Sequence, residues 1–201
     1  MNKLEDRIEE IKEYSRIAHL GPLSRRYFVI GTFDGALTAL ALVLGALAGA
    51  TSAGVEFDES MSDIIFASGI AMGVGLGISS FFGAYESERI ERDIELRGLE
   101  NSMLTKLEGT IIHDAKKFAI LWSSFVHGIS PMVAAWIPVV PFLFLPPYEA
   151  IGGSVITALF ILFIIGIYLG RVSNRNMFIS GLRFLAIGII TAVICYLIGW
   201  H

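Results

Sequence analysis

The chain has 201 residues, of which 54% are hydrophobic and 17% charged, and its formal net charge is −4. A mean hydropathy of +0.67 is too high for an ordinary soluble domain and indicates an integral membrane protein. The acidic balance gives no support to nucleic-acid binding, and a single cysteine, Cys195, excludes an intrachain disulfide.

The first 26 residues carry too much charge for a cleaved signal peptide. Four apolar side chains recur at helical spacing: Leu4, Ile8, Ile11 and Ala18. Acidic residues lie on the opposite side of the same helix. We therefore predict that residues 1–26 form an amphipathic cytoplasmic helix, which lies along the inner membrane surface or against the next domain.

Five apolar runs follow, each of about 20 residues, the length needed to cross a bilayer. They lie at 27–50, 62–85, 118–145, 150–170 and 177–200. The runs predict an all-α integral membrane protein with transmembrane helices 1–2 in residues 27–85, an acidic helical cytoplasmic insert at 86–117 and transmembrane helices 3–5 in residues 118–201. Prolines in the third run lead us to expect a bend, or a break near Pro138.

The basic residues orient these helices, because cytoplasmic loops near membrane spans collect Lys and Arg. All 15 lie before the first run, between the second and third runs, or around the junction of the fourth and fifth. This distribution predicts an N-terminus inside and a C-terminus outside. We expect a multi-pass protein of a prokaryotic cell membrane.

Asp34 interrupts the first apolar run. A carboxylate deep in a bilayer costs roughly 2.5–3.5 kcal/mol on insertion scales, and it is retained where it faces protein, water, an ion or a proton path. Asp34 is therefore a candidate functional residue. The alternative is that it is solvated from the inner face, or that it pairs with Arg25, Arg26 or Arg183.

The second apolar run carries Gly69, Gly73 and Gly77 at intervals of four, which flatten one face of the helix. Met72 lies within this surface. Its thioether is a soft ligand for a transition metal, although methionine more often serves packing. Together with the glycines of the first run, this pattern predicts close helix association, within one chain or across a dimer axis.

The insert is rich in acidic residues, and Glu88, Glu91 and Glu95 share one helix face. That face could bind a divalent cation. The alternative is a solvated helix with ion pairs four residues apart, such as Glu88 with Arg92. His127, in the third run, could bind a metal, relay protons or hydrogen-bond a neighbouring serine.

Acidic residues also stand between the first and second runs: Glu56, Asp58, Glu59 and Asp63. They form either a cation-attracting outer rim or a solvated loop. The sequence has no Gly-rich phosphate loop, no His-Glu-x-x-His and no Gly-x-Ser-x-Gly. We therefore expect neither an ATP-driven pump nor an enzyme.

The chain resembles the vacuolar iron transporter family in four features: the order of five spans, an Asp-Gly at Asp34, a Met-Gly-x-Gly at Met72 and an acidic insert. Members typically carry Asn-Asp-Gly in the first span, where this chain has Phe33 before Asp34. The glutamate that usually follows the second-span glycine is replaced by Leu76, and the insert is shorter than in better-known members. The metal-binding domain would therefore be reduced.

The resemblance implies a homodimer whose translocation path runs between the two copies of the first span and is lined by Asp34 and Met72. It also implies a cytoplasmic domain whose glutamates bind iron(II) before transport, with protons moving in the opposite direction. Carried over residue by residue, the first Glu-x-x-Glu motif of that metal-binding domain corresponds to Glu88 and Glu91. The second motif corresponds to Glu100, Met103 and Glu108.

We thus predict a divalent transition-metal transporter that exports iron(II), or manganese(II), from the cytoplasm by proton exchange. The metal is substrate, and no permanently bound cofactor is expected. The expected partners are the lipid bilayer, a second copy of the chain, metal ions and protons. Two alternatives stay open: a different cation as cargo, and a membrane scaffold or regulatory subunit whose acidic inner helix binds a partner.

Overall fold

A computed structural model describes the backbone of residues 3–198 and the side chains of Glu9 and residues 11–198. The helices in this part of the chain are α1 Lys3–Ile17, α2 Leu20–Ala53, α3 Glu59–Met103, α4 Ile111–Val139 with a 3₁₀ turn at Val140–Leu143, α5 Pro147–Val172 and α6 Met177–Ile198. Among them, α2 to α6 are long and apolar enough to cross a membrane. The predicted all-α membrane fold with five long apolar helices is confirmed. The side chains of Leu4 and Ile8 and the residues after Ile198 lie outside the described residues.

The N-terminal segment forms two helices where the sequence suggested one. α1 ends at Ile17, His19 adopts the left-handed conformation with φ 50°, and α2 begins at Leu20. α2 therefore starts before the apolar run, because arginine is a good helix former and the two arginines ahead of the run do not stop a helix. Leu20 packs against Ala119 of α4, which holds the start of α2 in place.

α3 is one helix of 45 residues. At 1.5 Å per residue it is about 67 Å long, against a hydrocarbon core of about 30 Å. Its C-terminal part therefore continues past the apolar run and ends at Met103, where Leu104 turns the chain in the left-handed conformation. The predicted insert thus consists of the extension of α3, a connection at 104–110 and the first turns of α4.

α4 lies at the centre of the bundle, with α2 and α3 packed against it. On the α2 side, the backbone and ring of Pro131 occupy the space where Gly31 and Gly35 lack a Cβ atom. On the α3 side, a Cβ at Gly73 would lie 2.5 Å from Nε1 of Trp136, and one at Gly77 would lie 2.9 Å from the carbonyl oxygen of Gly128. These glycines therefore serve close helix packing within one chain.

α4 ends as an α-helix at Val139, immediately after Pro138, and continues as a 3₁₀ turn. The predicted break near Pro138 is confirmed. Pro131 stands inside the same helix without ending it, and after Pro138 a further proline, Pro141, has no N–H with which to continue the α-helical pattern. α5 and α6 then form a hairpin that packs on α2, where Leu40 and Ala158 are buried together with Cys195 at the edge of the same cluster. Cys195 is an apolar filler.

Candidate functional site

Asp34 lies on a part of α2 that no described residue of the chain covers. Gly31 and Gly35, one on each side of it, face α4, whereas the Asp34 side chain is exposed. Its carboxylate forms no hydrogen bond or ion pair with any residue that the structure describes; only its main-chain oxygen is bonded, by the Thr38 hydroxyl at 2.7 Å. The pairing with arginine that the sequence left open does not occur in the described chain.

The open face of α2 extends along the helix from Asp34. Ile30 and Gly49 on this face are exposed, and a Cβ atom at Gly45 or Gly49 would meet nothing within 4 Å. Of the glycines at positions 31–49, Gly31 and Gly35 pack against α4, whereas Gly45 and Gly49, further along the helix, meet no described residue where a Cβ atom would be. Gly45 lies on the same side of α2 as Asp34, since 11 residues make about three helical turns.

Met72 is half-buried on α3, beside the glycine face that α4 occupies. α2 and α3 make far fewer contacts with each other than either makes with α4. Near their connecting turn, Ala50, Phe57 and Ile65 pack in one cluster. Within one chain, α2 and α3 therefore pack mainly against α4. They do not form a shared surface that brings Asp34 and Met72 together.

Glu88 is buried, with 5% of its surface exposed. Its carboxylate accepts a hydrogen bond from the Tyr27 hydroxyl at 2.7 Å and one from Nε of Arg92 at 3.1 Å. The ion pair with Arg92 is expected under the alternative interpretation, in which the insert is a solvated helix with ion pairs four residues apart. Tyr27 was missed by the sequence reasoning, because a partner 61 residues away leaves no periodic signal.

The other predicted metal ligands of the insert are dispersed. Glu95 lies 3.7 Å from Nζ of Lys116, and Oε1 of Glu100 accepts a hydrogen bond from the backbone N–H of Leu107 at 2.8 Å. The remaining three are exposed: Glu91, Met103 and Glu108. Over the described chain, no three His, Cys, Asp or Glu side chains come close enough to hold one ion. Their role as ligands stays a prediction.

His127 is half-buried and contacts α2. Its Nδ1 lies 3.3 Å from the carbonyl oxygen of Tyr27, and the two rings are 4.8 Å apart. A carbonyl only accepts, so this contact requires a proton on Nδ1. The neighbouring serine hydroxyls, of Ser123, Ser124 and Ser130, donate to carbonyls of their own helix instead.

Tyr27 therefore joins three helices at one end of the bundle: its hydroxyl bonds Glu88 of α3, and its carbonyl and ring contact His127 of α4. At the other end, the four acidic residues around the start of α3 are exposed, and Asp58 caps α3 by accepting a hydrogen bond from the N–H of Met61 at 3.0 Å. Capping is a structural role, and it explains the presence of Asp58, one of the four acidic residues that could form an outer rim.

Comparison with known sequences agrees with these features. A sequence model of the VIT family matches residues 99–200. The chain is also 30% identical over 181 residues to an uncharacterized protein of Methanocaldococcus jannaschii, which covers 89% of this chain and 90% of that protein. The family match lies after Asp34 and Met72, so it is independent of the two motifs that contain them. The chain is an integral membrane protein that belongs to the VIT family, a family of membrane metal-ion transporters.

Proposed function

We propose that this protein exports iron(II), or manganese(II), from the cytoplasm in exchange for protons, through a path between two copies of α2. The observation that carries the proposal is the Asp34 carboxylate, which is exposed on an apolar helix of bilayer length and bonded to no other described residue. Facing lipid, it would cost roughly 2.5–3.5 kcal/mol. A partner surface that holds water or ions removes that cost.

A second copy of the chain is the simplest such surface. Small residues let membrane helices approach closely, and Gly45, about three helical turns from Asp34 on the same side of α2, has open space where a Cβ atom would be. A two-fold axis along this face would bring the two Asp34 carboxylates together. Two facing carboxylates repel when both are ionised, so metal ions and protons would compete for the same site.

Metal would enter from the inner side. The basic residues support an inner location for the N-terminus and for the extension of α3. Glu91 and Glu95 on that extension keep exposed side chains and are the ligands best placed to gather cations. Glu88 would have to release Tyr27 and Arg92 first. Met72 adds a thioether that favours a transition metal over calcium or magnesium.

The experiment is metal uptake into sealed liposomes that contain the purified protein and an internal pH dye. Iron(II), manganese(II) and cobalt(II) are tested with the wild type, Asp34→Asn and the control Asp63→Asn, which changes an exposed carboxylate at the other end of the bundle. We expect metal flux with opposing proton movement in the wild type and the control. Asp34→Asn should assemble normally and lose the flux.

Two results would contradict the proposal as a whole, and a third would contradict its proton exchange. Absence of flux for every metal in folded wild-type protein would leave the scaffold interpretation ahead. Loss of assembly in Asp34→Asn would assign the carboxylate to helix association and not to the path. Metal flux without any proton movement would keep the transporter and remove the exchange.

A further inference from the structure

A cavity of about 220 Å³ lies between the extension of α3 and the first turns of α4. Although the insert is acidic overall, the charged residues that line this cavity are mostly basic: Arg89, Arg92, Asp93, His113, Lys116 and Lys117. Four cations and one carboxylate line the cavity, and three of the four cations also pair with acidic residues of α3: Arg89 with Glu86, Arg92 with Glu88 and Lys116 with Glu95. The transport proposal makes no use of this cavity.

Two of the cations are held in position by the fold. Arg92 and Lys116 each have side chains only 11% exposed. Nε of Arg92 bonds the buried carboxylate of Glu88, which leaves its two terminal nitrogens without an acceptor in the described chain. Nζ of Lys116 lies 3.4 Å from the carbonyl oxygen of Arg92 and 3.7 Å from Glu95. Their positions are therefore set before any ligand binds.

The start of α4 adds further donors. Thr110 is the N-cap residue, but its hydroxyl donates to the carbonyl of Leu107 and does not cap the helix. The first turn of α4 therefore keeps N–H groups that no side chain caps, and it also carries one carboxylate, Asp114. The side chains of Lys117 and His113 line the cavity and form no hydrogen bond or ion pair with the rest of the described residues. The unpaired Lys117 ammonium, the terminal nitrogens of Arg92 and the ring of His113 thus line one cavity, and such a group of donors can bind an anion.

The position of the cavity selects the kind of anion. Its apolar lining includes Tyr85 and Ile120. These residues lie where the apolar runs of α3 and α4 end, at the depth at which lipid phosphates meet water. Basic pockets between transmembrane helices at this level bind anionic head groups. We propose that the cavity binds the phosphate group of an anionic membrane lipid and thereby braces the α3 extension against α4.

The proposal requires that the helices lie in a bilayer, and it does not require that the protein transports metal. Its test uses the full-length chain in mixed micelles that contain either phosphatidylglycerol or phosphatidylcholine, with lipid retention measured by native mass spectrometry and stability by thermal unfolding. Variants are Lys117→Gln and His113→Asn. The control is Lys106→Gln, which removes an exposed cation from the connection outside the cavity.

We expect retention of phosphatidylglycerol over phosphatidylcholine, with a higher Tm. Lys117→Gln should weaken retention about tenfold, as expected for loss of one charge-assisted contact of about 1.4 kcal/mol, and His113→Asn should weaken it less. Lys106→Gln should match the wild type. Equal retention of both lipids, or equal losses in Lys117→Gln and Lys106→Gln, would overturn the proposal. So would a Tm increase with millimolar inorganic phosphate but none with phosphatidylglycerol, which would assign the cavity to a soluble phosphate.

Discussion

The hydroxyl of Tyr27 and the carboxylate of Glu88 form a polar contact of 2.7 Å between α2 and α3, at the end of the bundle that carries the α3 extension. Glu88 is nearly fully buried, and a buried carboxylate is tolerated only where donors satisfy it. Tyr27 and Arg92 supply those donors from two different helices. Glu88 is thus held as a structural group in this conformation, and its use as a metal ligand would require a rearrangement.

Removing the Tyr27 hydroxyl should destabilise the fold. Tyr27→Phe keeps the ring on His127 and deletes one donor to a carboxylate, so we expect a loss of about 1.5–3 kcal/mol in the free energy of unfolding. The matched control is Tyr168→Phe. The Tyr168 ring packs on Phe28, and its hydroxyl bonds no other described residue. Thermal and denaturant unfolding in detergent measure both variants.

A double-mutant cycle sharpens this prediction. If Tyr27 acts through Glu88, adding Tyr27→Phe to Glu88→Gln should cost less than Tyr27→Phe costs alone. Additive losses, or a Tyr168→Phe loss as large as that of Tyr27→Phe, would show that the hydrogen bond to Glu88 is not what stabilises the chain.

At the scale of the helices, contact with α4 determines which glycines are needed for close packing. Gly69, Gly73 and Gly77 lie every fourth residue along α3 and all face α4. Periodicity predicted a small-residue face but left open whether a neighbour in the same chain or a second copy would occupy it. The structure assigns this face to α4, because the side chains and backbone of α4 fill the space where each Cβ would be.

Gly77→Ala should therefore disrupt the packing of α3 on α4. Its Cβ would lie 2.9 Å from the backbone oxygen of Gly128, which cannot move as a flexible side chain can. Overpacking of this kind costs typically about 1–3 kcal/mol. Gly83→Ala is the control on the same helix, since a Cβ at Gly83 meets nothing within 4 Å and alanine favours the helix by about 0.5–1 kcal/mol.

Unfolding measurements on the two variants should thus move in opposite directions. A stability of Gly77→Ala equal to that of the wild type would mean that α3 and α4 are less closely packed than the Gly77 contact indicates.

For the whole molecule, the proposed dimer places the open face of α2 at a two-fold axis. Residues near such an axis contact their own copies. In a background with Cys195→Ser, which removes the single cysteine, we expect Ala41→Cys to form an intermolecular disulfide on mild oxidation. Ala41 lies two helical turns from Asp34 on the same side of α2. A disulfide requires Cα atoms within about 7 Å.

Ile156→Cys is the control for random collisions, because Ile156 on α5 is 69% exposed and lies on a different helix. Denaturing gels of oxidised membranes should show a dimer band for Ala41→Cys alone. Cross-linking at Ile156 and none at Ala41 would place the dimer interface on another face, or show that α2 does not meet its copy.

The sequence by itself determined the class of molecule, the five membrane-length helices, the break at Pro138 and the carboxylate of Asp34 as an unusual group in an apolar run. These are local properties, because hydropathy, span length and the missing N–H of proline depend on neighbouring residues only. The tertiary structure decided that Glu88 is buried beneath Tyr27, that cations converge between α3 and α4, and that Asp34 stays exposed among the described residues while Gly31 and Gly35 of the same helix pack on Pro131. Such contacts join residues far apart in the chain, and the periodicity of a single helix shows which side chains share a face but not which neighbour that face will meet.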